Sequence, residues 1–536
     1  MMTKLGAMQD WPLRVMRFVD HAEREHGGRE IVSNWADGSI TRTNWRDIAA
    51  QARRMARALE RLGIRPGDRV ATLAMNHAHH LTSWYGVCGM GGVLHTINPR
   101  LFAEQLTYIG NHAEDRVLLY DRAFAPLVNA LKSQWTTIEH YICFEDEFES
   151  WLAAESDDYA WAEGDERDPC GLCYTSGTTG NPKGVLYEHR STVLHAMMEV
   201  TPDIFDLSSR AVVMPIVPMF HANAWGVPWA APLVGCKLVL SADYRPAELC
   251  QLFRSEGVTH SAGVPTVWLG MIEHIERTGE DLGDLRSVTI GGSAAPRAMI
   301  AWFRERGVRV GHAWGMTETS PIGTCGAPPA SWDGMTDDEQ LDYIARQGRV
   351  PFGVELRIVD EHGAVLPRDG VASGSLQARG PWVIRRYFKE TADAADSDQW
   401  FDTGDVAALH PDGTMQITDR AKDVIKSGGE WISSIELENS AVGCPGVAEA
   451  AAIGISHPKW DERPLLLVVR SAGSDVDEAT IRNHLSQHIA KWWQPDAIEF
   501  VPELPHTATG KLSKKTLRES YRNYVLPGVT EMVGRS

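Results

Sequence analysis

Tyr174-Thr175-Ser176-Gly177-Thr178-Thr179-Gly180-Asn181-Pro182-Lys183-Gly184 decides how this chain is read. Eleven residues hold four aliphatic hydroxyls, three glycines and one lysine. Glycines let a backbone approach an anion and point its amides outward, hydroxyls donate to phosphate oxygens, and the lysine adds a point charge. The stretch therefore reads as a loop around a polyphosphate. It is not the Walker type, because no Gly-Lys-Ser/Thr follows four residues after a glycine.

Immediately upstream, Cys170 and Cys173 form a C-x-x-C with no second cysteine or histidine pair at zinc spacing. In a strand entering the loop, positions three apart face opposite sides, so both are expected to be core thiols. His77, His79 and His80 lack a surrounding ligand pattern and are expected to be structural. Further out, residues 45–62 place Ile48, Ala52, Met55, Leu59 and Leu62 at helical spacing, with Gly63 as the stop. Short apolar runs at 70–75, 117–120, 141–144, 211–216, 237–240, 258–262 and 287–290 alternate with helical segments, the rhythm of an α/β sheet. Residues 331–347 read as an acidic, exposed excursion. After Asp419 the pattern changes to strands at 447–455, 465–470 and 498–501 around a helix at 478–491, a compact α+β unit.

The chain has 536 residues, more than one ordinary core. Its 71 acidic against 52 basic residues give a net charge of −19, which argues against nucleic acid or an anionic membrane as partner. No basic-then-apolar leader is read at the N-terminus. Residues 211–236 carry no Asp, Glu, Lys or Arg, but four prolines, His221 and Asn223 interrupt them, which suits a buried lining better than a membrane span. The expected location is cytoplasmic, with no stable membrane insertion.

Other motifs follow in order: Gly291-Gly292-Ser293-Ala294-Ala295-Pro296, His312-Ala313-Trp314-Gly315-Met316-Thr317-Glu318-Thr319, Phe401-Asp402-Thr403-Gly404-Asp405, Asp419-Arg420-Ala421-Lys422-Asp423, Ser427-Gly428-Gly429-Glu430-Trp431 and Pro505-His506-Thr507-Ala508-Thr509-Gly510-Lys511. A serine-hydrolase elbow at Ser293 is excluded, since Ala295 stands where that turn needs glycine. Together with the phosphate loop, these elements resemble the adenylate-forming superfamily of acyl-CoA synthetases, peptide-synthetase adenylation domains and beetle luciferases. The likeness runs from about residue 40 to 520.

That resemblance implies an α/β protein. Residues 1–419 would form a large multi-subdomain N-terminal domain, 420–422 a hinge at Lys422, and 423–536 a small mobile α+β lid. Thr175, Ser176, Gly177, Thr178, Thr179 and Lys183 would hold ATP phosphates. Gly292, Ser293, Ala294, Ala295 and Pro296 would form the adenine slot together with His312, Ala313, Gly315 and Met316, and Trp314 would stack on the base. Thr317 would hold the α-phosphate, and Thr175 and Glu318 would take Mg2+. Asp405 and Arg420 would clamp the ribose. Lys511 would be the catalytic lysine, acting where negative charge accumulates; Lys514 and Lys515 are expected to be solvated. Ser427, Gly428, Gly429, Glu430 and Trp431 would flank CoA.

His221, Trp225, Trp229, Val264, Trp268, Gly291 and Gly292 would line the acyl pocket, with His221 also serving catalysis. If 221–229 is one helix, His221, Trp225 and Trp229 share a face, with Pro228 kinking it. No acid occurs between Arg210 and Asp243, so a substrate ammonium would find no partner there and an uncharged tail is favoured. The implied reaction joins a small carboxylic acid to CoA through acyl-AMP, releasing AMP and pyrophosphate. Bulk at Trp225 favours a short or medium acid. Ala490-Lys491-Trp492-Trp493-Gln494-Pro495-Asp496 resembles a bacterial branch that contains 3-methylmercaptopropionyl-CoA and medium-chain fatty acyl-CoA ligases. A medium- to long-chain acid, a carrier-loading adenylation domain, a phosphoryl-transfer enzyme and a non-catalytic nucleotide sensor are the rivals. A homodimer is compatible with the sequence.

Overall fold

The computed structural model describes residues 8–175, 181–420, 422–427, 430–507 and 512–527. Two large sheets form the N-terminal part. In the first, strands run in the order His140–Cys143, Asp115–Tyr120, Arg69–Leu73, Val93–Thr96, Pro169–Tyr174 and Gly184–Glu188; all are parallel except the last. That final antiparallel pair brings Tyr174 and Gly184, the two ends of the phosphate-loop stretch, side by side. The second sheet has eight strands, with parallel strands from Arg309–Gly315 to Glu30–Asn34 and antiparallel Ile322–Cys325 and Ile40–Asn44 at its edges.

Helices Trp45–Arg61 and Ala78–Gly89 are buried in the core shared by the two sheets. The first is amphipathic as its spacing predicts and is capped by Asn44, whose side chain accepts from Asp47 N. The second is buried on nearly every side, His80, Thr82 and Ser83 included, the mark of an internal helix. Gly86 allows the two to touch: a β-carbon there would meet Met55 Cβ at 2.9 Å. His77, His79 and His80 are tied into this core; His77 pairs with Asp121 at 2.8 Å and His80 with Thr72 at 2.9 Å. Cys170 and Cys173 are buried thiols in separate core clusters, as opposite strand faces require.

Three sequence expectations are corrected. Residues 331–347 are not a bare excursion: Asp337–Ala345 is a helix packed on Arg297–Glu305, with Tyr343 and Ile344 buried. Its start is a Thr336/Glu339 capping box, worth about 1 kcal/mol. A four-stranded antiparallel sheet, Glu355–Val359, Ser373–Arg379, Phe401–Leu409 and Met415–Arg420, fills a stretch for which the sequence suggested no strands. The helix expected at 478–491 ends at His488.

The C-terminal unit is α+β as expected. Its long hairpin Val447–His457/Asp461–Arg470 uses the free edge of Asp461–Arg470 twice, pairing in parallel with Ala497–Phe500 and, at Asp461, antiparallel with Ile425–Ser427, which in turn pairs with Glu430–Ile432. Helix Ser434–Val442 begins against the last strand of the four-stranded sheet. Ser433 Oγ donates to Thr418 O, and Asp419 Oδ2 accepts from Ser434 N and Oγ at 2.6 and 2.7 Å. Among the described residues no helix is long and apolar enough to cross a membrane.

Candidate active site

One cavity of about 760 Å³ opens among these units. Its walls come from strand ends of both large sheets, the four-stranded sheet and the C-terminal unit, so the motifs spread along the chain converge on it.

On the phosphate side, Thr175 and Lys183 line the cavity. They close the loop base with two hydrogen bonds, Thr175 N to Lys183 O at 2.9 Å and Lys183 N to Thr175 Oγ1 at 3.3 Å. Lys183 Nζ stands 4.8 Å from the centre of the Tyr387 ring. Ser176, Gly177, Thr178 and Thr179 lie outside the described residues.

Gly291, Gly292, Ser293, Ala294 and Pro296 border the cavity, and Gly292 takes φ of +84°, which glycine supplies without strain. Ala295 and His312 sit one layer behind instead of at its surface. His312 is fully buried; its Nε2 accepts from Ala295 N at 3.1 Å and its Nδ1 donates to Ala345 O at 3.0 Å. Those partners fix one neutral tautomer, and burial pushes its pKa down to about 4. His312 is thus a buttress of the slot.

Ala313, Trp314, Gly315, Met316, Thr317 and Glu318 all border the cavity. The indole of Trp314 donates from Nε1 to Asp405 Oδ2 at 2.8 Å, and Arg420 Nε lies 3.3 Å from Asp405 Oδ1. Asp405 therefore meets a hydrogen-bond donor on one oxygen and a cation on the other. Glu318 is 7% exposed and accepts from Tyr387 OH at 2.8 Å. Burial pushes its carboxyl pKa up, against the Tyr387 hydrogen bond and Arg420, which pull it down. Tyr187 OH donates to Thr317 O at 2.8 Å. Neither tyrosine was legible in the sequence, because both act through contacts distant along the chain.

The resemblance implies magnesium, and the donors at this end of the cavity are oxygens: the Glu318 carboxylate and the Thr175 and Thr317 hydroxyls. That set suits a small hard dication whose shell is completed by phosphate oxygens and waters. Among the described residues, the one group of three metal-ligand side chains is Cys250, His274 and Glu280, none of which lines the cavity.

At the acyl end, His221, Trp225, Gly291 and Gly292 line the cavity, joined by Phe205, Leu269 and Ile322. Residues 221–229 do not form one helix. Ala222, Asn223, Ala224, Trp225 and Gly226 take φ of 41°, 58°, 48°, 55° and 83°, a left-handed turn, and Pro228 starts the helix Val227–Val234 instead of kinking one. Left-handed backbone costs about 1–2 kcal/mol at each non-glycine residue. The turn leaves Trp225 facing the cavity and sends Trp229 into the core, 3% exposed against Trp84 and Tyr85. Trp268 is likewise buried, against Phe253 and Phe303, and Val264 packs on the main core. These three are corrections to the expected lining.

In the C-terminal unit, Ser427 is buried and its Oγ accepts from Arg463 at 3.2 Å. Lys422 is exposed, and partial burial together with neighbouring Arg420 lowers its pKa. Gly428, Gly429 and Lys511 lie outside the described residues; Glu430 and Trp431 are described only as backbone of Glu430–Ile432. Lys514 is not solvated as expected. It is 9% exposed, donates to Ser434 Oγ at 2.5 Å and pairs with Glu438 at 2.8 Å, beside the cavity. Burial pushes the Glu438 carboxyl up to about 7. Lys515 stays half exposed.

The chain has relatives of known kind. Residues 18–388 match the AMP-binding enzyme family and residues 436–511 match the AMP-binding enzyme C-terminal domain. The chain belongs to the AMP-binding enzyme family, and within it to the acid–thiol ligases that make acyl-CoA. It is 50% identical to a 3-methylmercaptopropionyl-CoA ligase of Ruegeria lacuscaerulensis, covering 97% of this chain and 99% of that one. It is 46% identical to a medium-chain-fatty-acid–CoA ligase of Ectopseudomonas oleovorans, over 97% and 98%. The crystal structure of an anthranilate CoA ligase with anthranoyl-AMP superposes with a TM-score of 0.86 at 25% identity, covering 96% and 99% of the two chains.

Proposed function

We propose that this ligase activates a short or medium, uncharged-tailed carboxylic acid, with 3-methylmercaptopropionate the leading candidate. The observation that carries the reading is the acyl wall. Phe205, Trp225, Leu269 and Ile322 are apolar and His221 adds no carboxylate, while the cavity's carboxylates, such as Glu318, Asp405 and Glu438, come from the nucleotide and C-terminal sides. Trp225 narrows that wall, its ring tip lying 3.3 Å from where a β-carbon at Gly291 would stand. A thioether tail would meet aromatic rings there, a favourable contact for sulfur.

ATP enters with its phosphates toward Thr175 and Lys183 and its ribose toward Asp405 and Arg420. Thr317 orients the α-phosphate toward the substrate carboxylate near His221. A magnesium ion held by Glu318, with Thr175 near it, would neutralise phosphate charge. Lys511 supplies a cation where charge builds as pyrophosphate leaves and acyl-AMP forms. The C-terminal unit then turns about Lys422, and the CoA thiolate, approaching past residues 427–431, displaces AMP. Holding both reactants in one walled cavity supplies orientation and keeps water from the labile adenylate.

The test is CoA-dependent AMP release across acids of increasing length, including 3-methylmercaptopropionate. Optimal turnover with long-chain acids, or with charged-tail acids, would overturn the substrate reading. Lys511→Ala should lose pyrophosphate release yet still transfer a supplied acyl-adenylate to CoA; surviving adenylation would remove the lysine from its role.

A further inference from the structure

Besides His189 at its start, helix His189–Glu199 carries two buried titratable side chains one turn apart, one bonded to Ile322 of the acyl wall and the other set against Gly226, next to Trp225 of that wall. His195 Nε2 accepts the backbone N–H of Ile322 at 3.1 Å, and Ile322 lines the cavity. Burial pushes its pKa down to about 3, so the ring is neutral with its proton on Nδ1. That nitrogen faces Glu199 Oε1 at 3.6 Å, too far for a hydrogen bond.

Glu199 is 1% exposed, and neither carboxyl oxygen has a hydrogen-bond partner among the described residues. A buried carboxyl left so is costly, burial raises its pKa, and its presence calls for a reason. The reason lies against Gly226. A β-carbon there would fall 2.3 Å from both oxygens of Glu199, so the carboxyl occupies the space beside that Cα. Gly226 ends the left-handed turn, and Trp225 beside it reaches across the pocket toward Gly291.

We infer that Glu199 is a positioning residue for acyl-chain selection: its carboxyl wedges against Gly226, holds the left-handed turn, and so sets how far Trp225 closes the pocket. The inference rests on the acyl-pocket reading above. Glu199 is not a lining residue and acts only through the turn. A strained turn persists where its surroundings over-determine it. Taking the wedge away lets the turn relax and carries the indole with it. An amide of the same shape keeps the wedge.

Glu199→Ala, Glu199→Gln, Trp225→Ala and the Glu199→Ala/Trp225→Ala double variant are to be compared in CoA-dependent AMP release over an acid-length series. Hydrogen exchange of the 222–226 amides runs alongside. Glu199→Ala should raise KM for the preferred acid about tenfold and move the preference to longer acids, with KM for ATP unchanged. Glu199→Gln should keep the wild-type preference. Trp225→Ala should show the same shift, and the double variant should add nothing to it. Amides 222–226 should exchange faster in Glu199→Ala than in Glu199→Gln. A wild-type preference and exchange pattern in Glu199→Ala, or additive effects in the double variant, would overturn the inference. If the wild type turned over no acid, the substrate reading would fall, and the exchange comparison would decide the positioning role by itself. Should Glu199→Ala not fold, Glu199→Ser, which also empties the space beside Gly226, gives the same readouts.

Discussion

The indole Nε1 of Trp314 donates to Asp405 Oδ2 at 2.8 Å while Arg420 Nε stands 3.3 Å from Asp405 Oδ1. The carboxylate proposed to hold the ribose is therefore oriented by the same ring proposed to face the adenine. Trp314→Phe keeps the aromatic face and loses the donor. A hydrogen bond to a charged group is worth about 1.5–3 kcal/mol, so KM for ATP should rise roughly ten- to a hundredfold in pyrophosphate exchange. KM for the acid should stay within a factor of about two.

Tyr387 should tune Glu318. Its hydroxyl donates to the carboxylate and pulls the pKa down against burial, which pushes it up. Tyr387→Phe removes the downward pull, so Glu318 should lose its proton only at higher pH. The acid limb of the adenylation pH profile should move to higher pH, with the alkaline limb unmoved. A profile at limiting magnesium checks this, because a saturating dication on Glu318 would itself displace the proton.

Gly291 is fitted closely on two sides. A β-carbon would stand 3.0 Å from Ala313 O and 3.3 Å from Trp225 Cη2. Gly291→Ala should crowd the junction of acyl chain and nucleotide and lower kcat/KM for the preferred acid about ten- to a hundredfold. The loss should be smaller for the shortest acids, which an acid-length series reads directly.

Glu438 should leave a mark on stability. Its folded pKa is raised by burial from 4.5 to about 7. The folded state therefore holds a proton that the unfolded state releases between those values. The stability this supplies is complete below 4.5 and is lost as pH rises to about 7. Glu438→Gln should abolish that dependence, so wild type should lose on the order of 3 kcal/mol relative to the variant across this window. Urea unfolding of both proteins at a series of pH values measures the difference.

The motif residues were legible because phosphate and ribose contacts demand particular side chains at short spacing. The strand at Ser287–Ile290 was legible as well, because a buried parallel strand is a short apolar run. The four-stranded antiparallel sheet was not. Ser373–Arg379 alternates buried and half-exposed positions with serine, glycine and glutamine among them, a weak period-two signal. The turn at Ala222–Gly226 misled for a different reason. Helical spacing of His221, Trp225 and Trp229 is a valid pattern, but the backbone took the opposite hand, which no spacing rule encodes. Lys514 was misjudged because its partners, Ser434 and Glu438, lie eighty and seventy-six residues upstream. At 331–347 the acidic composition points to exposed chain while the Thr336/Glu339 box marks a helix start, and the box is the feature the fold follows.

Ser433 and Ser434 fasten the C-terminal unit to Thr418 and Asp419, immediately before the pivot proposed at Lys422. Fastenings so near an axle have a short lever arm. A turn that carries the far tip of the unit through a wide arc displaces these atoms only slightly, yet hydrogen bonds fail over about an ångström. In the proposed turn these bonds would have to give way, so ligands that favour the other orientation would have to outweigh them.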